Sequence, residues 1–183
     1  MGPKVLLTDT GRWPNAARLA VALSQAGFRV AAVCPDRGQP LLSVRAVEKT
    51  FPYSTFHPLN SLAAGITATW PEIVIACDDR SVQHLHALHD QAARKGPVGK
   101  KVAALIERSL GCPESYAIVE SRYDLLRLAA NEGLRVPRTM RIEKLEDLKW
   151  WCKHVRQLGL KRPRSRGKAV GARSFPPKRS KVA

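Results

Sequence analysis

Short apolar runs alternate with helix-like stretches between residues 4 and 94, and this alternation constrains the fold more than any other feature. Lys4–Thr8 (KVLLT), Arg29–Val33 (RVAAV) and Ile73–Ala76 (IVIA) have the length and the lack of polar alternation of strands buried on both faces. A weaker strand is expected near Lys49–Tyr53. Pro14 suits the first turn of a helix whose apolar face is Ala17, Leu19, Ala20, Ala22 and Leu23, and Gly27 suits its left-handed end. Pro58 and Asn60 open a second helix, which Pro71 ends near Thr69. A third runs from about Ser81 to Arg94. A strand, a helix and a strand within about 30 residues favour parallel pairing. The expected fold class is therefore α/β: an open, mostly parallel sheet with helices on both faces.

Beyond residue 94 the alternation stops. Gly96-Pro97-Val98-Gly99 reads as a turn, and Lys100–Leu110 as a helix with Val102, Leu105, Ile106 and Leu110 on one face and Gly111 at its end. Ser121 and Asp124 form a capping box for a helix to about Asn131, closed by Gly133. An extended piece follows from Val136 to Ile142, then a short helix at Leu145–Trp151. After Trp151 the composition changes abruptly. Residues 152–183 carry 11 Lys/Arg and no Asp or Glu, whereas the first 151 hold 20 Lys/Arg against 15 acids. The formal charge of +16 thus belongs mostly to the tail, which is expected to be disordered. The expected division is 1–110, an α/β domain; 111–151, a connector and the start of a second, incomplete domain; and 152–183, the basic tail.

The four cysteines, Cys34, Cys77, Cys112 and Cys152, include no C-x-x-C pair, and no apolar stretch approaches the ~20 residues of a membrane helix. A cytoplasmic protein with reduced thiols and no membrane partner is expected. The glycine fingerprint of dinucleotide sites is missing, which argues against NAD. The tail's only aromatic residue is Phe175, so nucleic-acid binding there would be weak and unspecific.

Candidate ligand contacts follow from topology, because open α/β sheets bind ligands beyond the carboxyl ends of their strands. Asp9, Thr10, Gly11 and Arg12 follow the first strand. Asp78, Asp79, Arg80 and Ser81 follow the fourth. Asp79 could instead simply cap the next helix. No catalytic residue and no metal ligand is assigned: His84, His86 and His89 share one helix with Asp90, but the expectation there is a solvated face.

Several strings together carry a resemblance. The D-T-G-R-W-P-N loop, I-V-I-A-C-D-D-R, R-S-L-G-C-P-E-S-Y and E-S-R-Y-D-L-L-R-L-A-A-N-E-G-L-R-V-P-R-T resemble the N-terminal, pre-ATP-grasp domain and connector of ATP-grasp carboxylate–amine ligases and carboxylases, over about residues 4–151. The resemblance implies a Rossmann-like first domain that shapes one wall of a site for a small carboxylate substrate. It also implies ATP and Mg²⁺ as cofactors of intact relatives. Arg122 takes the connector position at which relatives often carry a Lys near the nucleotide.

The departure comes after the helix at Leu145–Trp151. The family pattern calls for a Lys-bearing strand, a glycine-rich flap and later acidic metal ligands. Gln157–Lys161 echoes the strand faintly, and no acid follows Asp147. The expectation is a truncated ligase-like chain, its last ~32 residues out of frame or otherwise unselected, binding no cofactor and without independent activity. The alternative is a polyanion-binding protein that uses the basic tail. Substrate identity and oligomeric state stay open.

Overall fold

A computed structural model of the chain describes residues 2–157. The chain divides into two compact units, Met1–Arg135 and Val136–Ala183.

The first unit is built on a four-stranded, wholly parallel sheet of β1 (Lys4–Thr8), β2 (Arg29–Cys34), β3 (Val47–Pro52) and β4 (Ile73–Ala76). The order is β3-β2-β1-β4. Leu6 pairs with Ala31 on one side and with Val74 on the other. β2 and β3 slip register between Val30 and Ala31. Helices α1 (Pro14–Gln25), α2 (Pro58–Thr69), α3 (Asp79–Ala92) and α4 (Gly96–Leu110) cover the sheet.

The two-residue period of β1 sorts the core. Leu6 turns to a face packed by Leu62 and Ile66 of α2, Leu85 and Leu88 of α3, and Val102, Leu105 and Ile106 of α4. Val5 and Leu7 turn to the opposite face, against Ala16 and Ala20 of α1 and Leu41 of a 3₁₀ turn at Pro40–Ser43. Each fully buried Leu or Ile contributes about 1.5–3 kcal/mol, so these two layers carry most of the stability of the unit. α2 lies so close to the sheet that a Cβ at Gly65 would stand 2.4 Å from Val33 Cγ2.

Both sheet edges are protected. β3 exposes Glu48, Lys49 and Thr50, a charged edge that discourages pairing with another chain. On the β4 side, the Val74 N–H donates to Ser109 Oγ at 2.9 Å, and Arg108 Nε donates to the Glu72 carbonyl at 2.8 Å, so α4 closes that edge.

α3 differs from expectation. It begins at Asp79, and its histidine side is not a solvated face: His86 and His89 are buried. Each has an opposing carboxylate, Glu120 for His86 and Glu107 for His89, and Tyr116 covers both rings. α4 starts at Gly96, four residues earlier than its apolar spacing suggests, because Pro97 in the first turn needs no N–H partner. A short α5 (Tyr116–Glu120) leads to α6 (Arg122–Asn131), where Ser121 Oγ accepts the Asp124 N–H as the capping box requires.

In the second unit, Val136–Ile142 adopts no regular structure. α7 (Leu145–Gln157) then runs past the compositional break at Trp151, since nothing in Cys152–Gln157 breaks a helix. Trp150 stacks on His154 with centroids 3.9 Å apart. The rest of the basic tail lies outside the described residues. Among the described residues no helix is long and apolar enough to cross a membrane.

Candidate functional site

The strand order reverses between β1 and β4. Chain direction carries β1, β2 and β3 one way and returns to place β4 on the far side of β1. A crevice forms beyond the carboxyl ends of strands at such a reversal. The two sequence-nominated loops, Asp9–Arg12 and Asp78–Ser81, meet there.

Asp78 joins them. Its Oδ2 accepts the Thr10 N–H at 2.5 Å, and its Oδ1 accepts the Thr10 hydroxyl at 3.1 Å and the Ser81 N–H at 2.7 Å. The last bond makes Asp78 the N-cap of α3. The capping role considered for Asp79 therefore belongs to its neighbour, since only the residue with extended backbone before the first helical position can turn its carboxylate back onto the helix. Asp79 points outward instead and meets Arg122 at 3.5 Å, both side chains almost fully exposed.

Asp9 lies beneath, only 2% exposed. Its backbone N–H extends the sheet by bonding the Val33 carbonyl. Oδ1 accepts the Gly11 N–H at 2.9 Å, and Oδ2 accepts Gln39 Nε2 at 2.9 Å. Gln39 gives its second hydrogen to the Gly11 carbonyl at 2.8 Å, while its Oε1 is buried without a hydrogen-bond partner. Gln39 is a site residue that sequence reasoning missed. It sits in the loop after β2, and nothing in a polar residue between Gly38 and Pro40 announces that it will be buried.

Two carboxyls that follow different strands thus lie side by side, Asp9 buried and Asp78 half-buried. Burial raises the pKa of Asp9; the Gly11 N–H and Gln39 oppose this, nearby Asp78 adds to it, and the net effect is upward. Burial also pushes Asp78 up, but hydrogen bonds from the Thr10 and Ser81 backbone outweigh it and hold Asp78 below the usual carboxylate range. The two neighbouring carboxyls are thus driven in opposite directions, Asp9 up and Asp78 down. The flanking thiols are inert: burial, then the charge of Asp9, lifts Cys34 to about 11 and Cys77 to about 12.

The remaining nominated residues divide by exposure. Ser81 is fully buried, its hydroxyl donating to the Thr8 carbonyl at 3.1 Å, so it fastens α3 to β1. Arg12 is exposed and reaches over the next loop, its Cζ 3.6 Å from where a Cβ on Gly38 would be. Arg80 is also exposed, and its charge is felt at Tyr53 and His84, which lie 3.4 Å apart (Oη to Nδ1) beyond β3.

No family model and no curated protein matches this chain. A solved structure is similar: glycinamide-RNase-transformylase T from Mycobacterium tuberculosis, at 22% sequence identity and a TM-score of 0.54. The likeness covers 82% of this chain and 38% of the other. That enzyme is of the ATP-grasp type, matched through its N-terminal domain. The likeness extends to the fold: an open, parallel α/β sheet covered by helices. The expected Rossmann-like architecture holds, with a sheet that is parallel throughout. The chain spans well under half the length of its structural neighbour.

Proposed function

We propose that this chain is a ligand-binding domain of ligase-like, ATP-grasp kinship, and that its crevice between β1 and β4 takes a small carboxylate-bearing molecule. The supporting observation is the division of charge at the switch point. Every oxygen of Asp9 and Asp78 already accepts an N–H or O–H from the protein. The acids are consumed in building the floor. The charges left facing solvent in these two loops are Asp79, which meets Arg122, and the guanidinium groups of Arg12 and Arg80, which suit a carboxylate in geometry and sign. Thr10 and Gly11 form the wall between them. In this reading Asp78 and Gln39 position the loops, and Arg12 and Arg80 touch the ligand.

ATP and Mg²⁺ serve relatives of this type, but the residues here do not fit them. Mg²⁺ is usually held through carboxylates; here Asp9 and Asp78 are turned onto the protein's own donors, and Asp79 points outward to Arg122. Among the described residues no three His, Cys, Asp or Glu side chains converge as a metal site. Arg122, the candidate nucleotide contact, is paired with Asp79 at the surface. The reading therefore assigns these 183 residues binding without ligation.

The test is a titration of the full chain with succinate, followed by backbone NMR. Binding should shift the amides of residues 9–12, 37–39 and 78–81, and Arg12→Gln should weaken it about tenfold, the usual effect of losing one charge-assisted contact. Shifts scattered elsewhere, or an unchanged affinity in Arg12→Gln, would overturn the assignment.

A further inference from the structure

The buried histidines of α3 do a different job, independent of the crevice. His89 presents both ring nitrogens to carboxylates: Nε2 lies 2.8 Å from Glu107 Oε1 on α4, and Nδ1 lies 3.3 Å from Asp90 Oδ1 on α3 itself. A neutral imidazole has one N–H and one lone pair, so it would set a lone pair against one of the two anions. Only imidazolium satisfies both. One turn earlier, His86 Nδ1 lies 2.7 Å from Glu120 Oε1 at the end of α5. Tyr116 closes over the pair, stacked on His86 with centroids 3.7 Å apart and edge-on to His89 at 5.6 Å.

The position of this cluster gives it a consequence. Tyr116 is the sole buried residue from Gly111 to Arg135, the stretch that leaves the sheet domain and carries α6. Besides the exposed Arg122–Asp79 pair, one tyrosine ring and one glutamate attach that connector to α3 and α4, and both sit on histidines.

We propose that His89, His86, Tyr116, Glu107, Glu120 and Asp90 form a pH-sensitive latch: protonated, it holds the connector against α3 and α4, and deprotonation loosens the connector and α6 with it. The groups facing His89 and Tyr116 are mostly acidic. Asp90 comes from α3, Glu107 from α4, and Glu114 and the Cys112 thiol from the connector; the basic group beside them is His86, stacked on Tyr116 and itself paired with Glu120. Burial pushes His89 down, but Glu107 and Asp90 outweigh it and the net effect lies above the ordinary 6.5. A group raised on folding stabilises fully below its unfolded value, and that contribution is lost as pH rises through the folded one. Tyr116 is pushed up by burial and by Glu107, so its hydroxyl stays neutral over the same range.

The experiment uses the full chain. Histidine ring NMR gives the titration midpoint of His89, and hydrogen-exchange protection factors are measured for the amides of residues 116–125 and, as an internal reference, 5–8. The expected result is a midpoint above that of histidine in an unstructured peptide, with connector protection falling several-fold across it while β1 protection stays level. Glu107→Gln, which keeps the side chain's size, should lower the midpoint and move the loss of protection with it. His89→Gln should abolish the pH step. A midpoint at or below the peptide value, or connector protection that does not follow the titration in wild type and Glu107→Gln, would overturn the latch.

Discussion

Asp78 serves two neighbours at once, and substitutions separate its tasks. Alanine removes both the cap on α3 and the tie to Thr10, which should cost about 2–3 kcal/mol in denaturant unfolding. Asparagine still caps and should cost about half as much. Asp9 differs in sign. Its pKa is raised on folding, so it withdraws stability as pH climbs through its folded value, whereas the depressed Asp78 withdraws stability as pH falls through its own. Asp9→Asn should therefore gain on wild type as pH rises from about 4 to about 7; a parallel pair of stability–pH curves would refute the upward shift of Asp9. Tyr116 offers a third check. Its hydroxyl is buried with no partner, so Tyr116→Phe should leave the melting temperature unchanged or raise it, by the equivalent of ~1 kcal/mol. The loops meeting at the crevice were legible in the sequence because strand-end position follows from topology. Which acid capped α3 was not, since Asp78 and Asp79 differ only by one residue of register. Nor was the burial of His86 and His89, whose carboxylate partners lie 34 and 18 residues away in sequence.

At the scale of elements, the sheet carries the argument. β1, β2 and β4 were readable as apolar runs because both their faces are covered. β3 was harder, being an edge strand with charge along it. The close approach of α2 gives the sharpest test of this packing. Gly65→Ala would drive a methyl group into Val33, a β-branched side chain with little freedom to turn aside. The expected loss is about 1–3 kcal/mol, measured as a lowered urea midpoint with an unchanged slope. Helix ends were less legible than helix centres. α4 gained a turn at Gly96-Pro97, and α7 continued past a change in composition that has no bearing on backbone geometry.

For the whole molecule, the account separates a fold from an activity. The open α/β architecture stands on the all-parallel sheet and its structural likeness. The ligase chemistry of such enzymes is not assigned to these residues: Asp9 and Asp78 are engaged by the protein's own donors, and Asp79 turns outward to Arg122. A bound ligand must stabilise the native state, so ATP with Mg²⁺ at millimolar concentration should leave the melting temperature where it is. The central claim, that the meeting of β1 and β4 receives a carboxylate, is tested most directly by following backbone amides during the succinate titration. The account predicts saturable shifts at Thr10, Gly11 and Arg80, much weakened in Arg12→Gln. Saturable binding that leaves those three amides unmoved would contradict it.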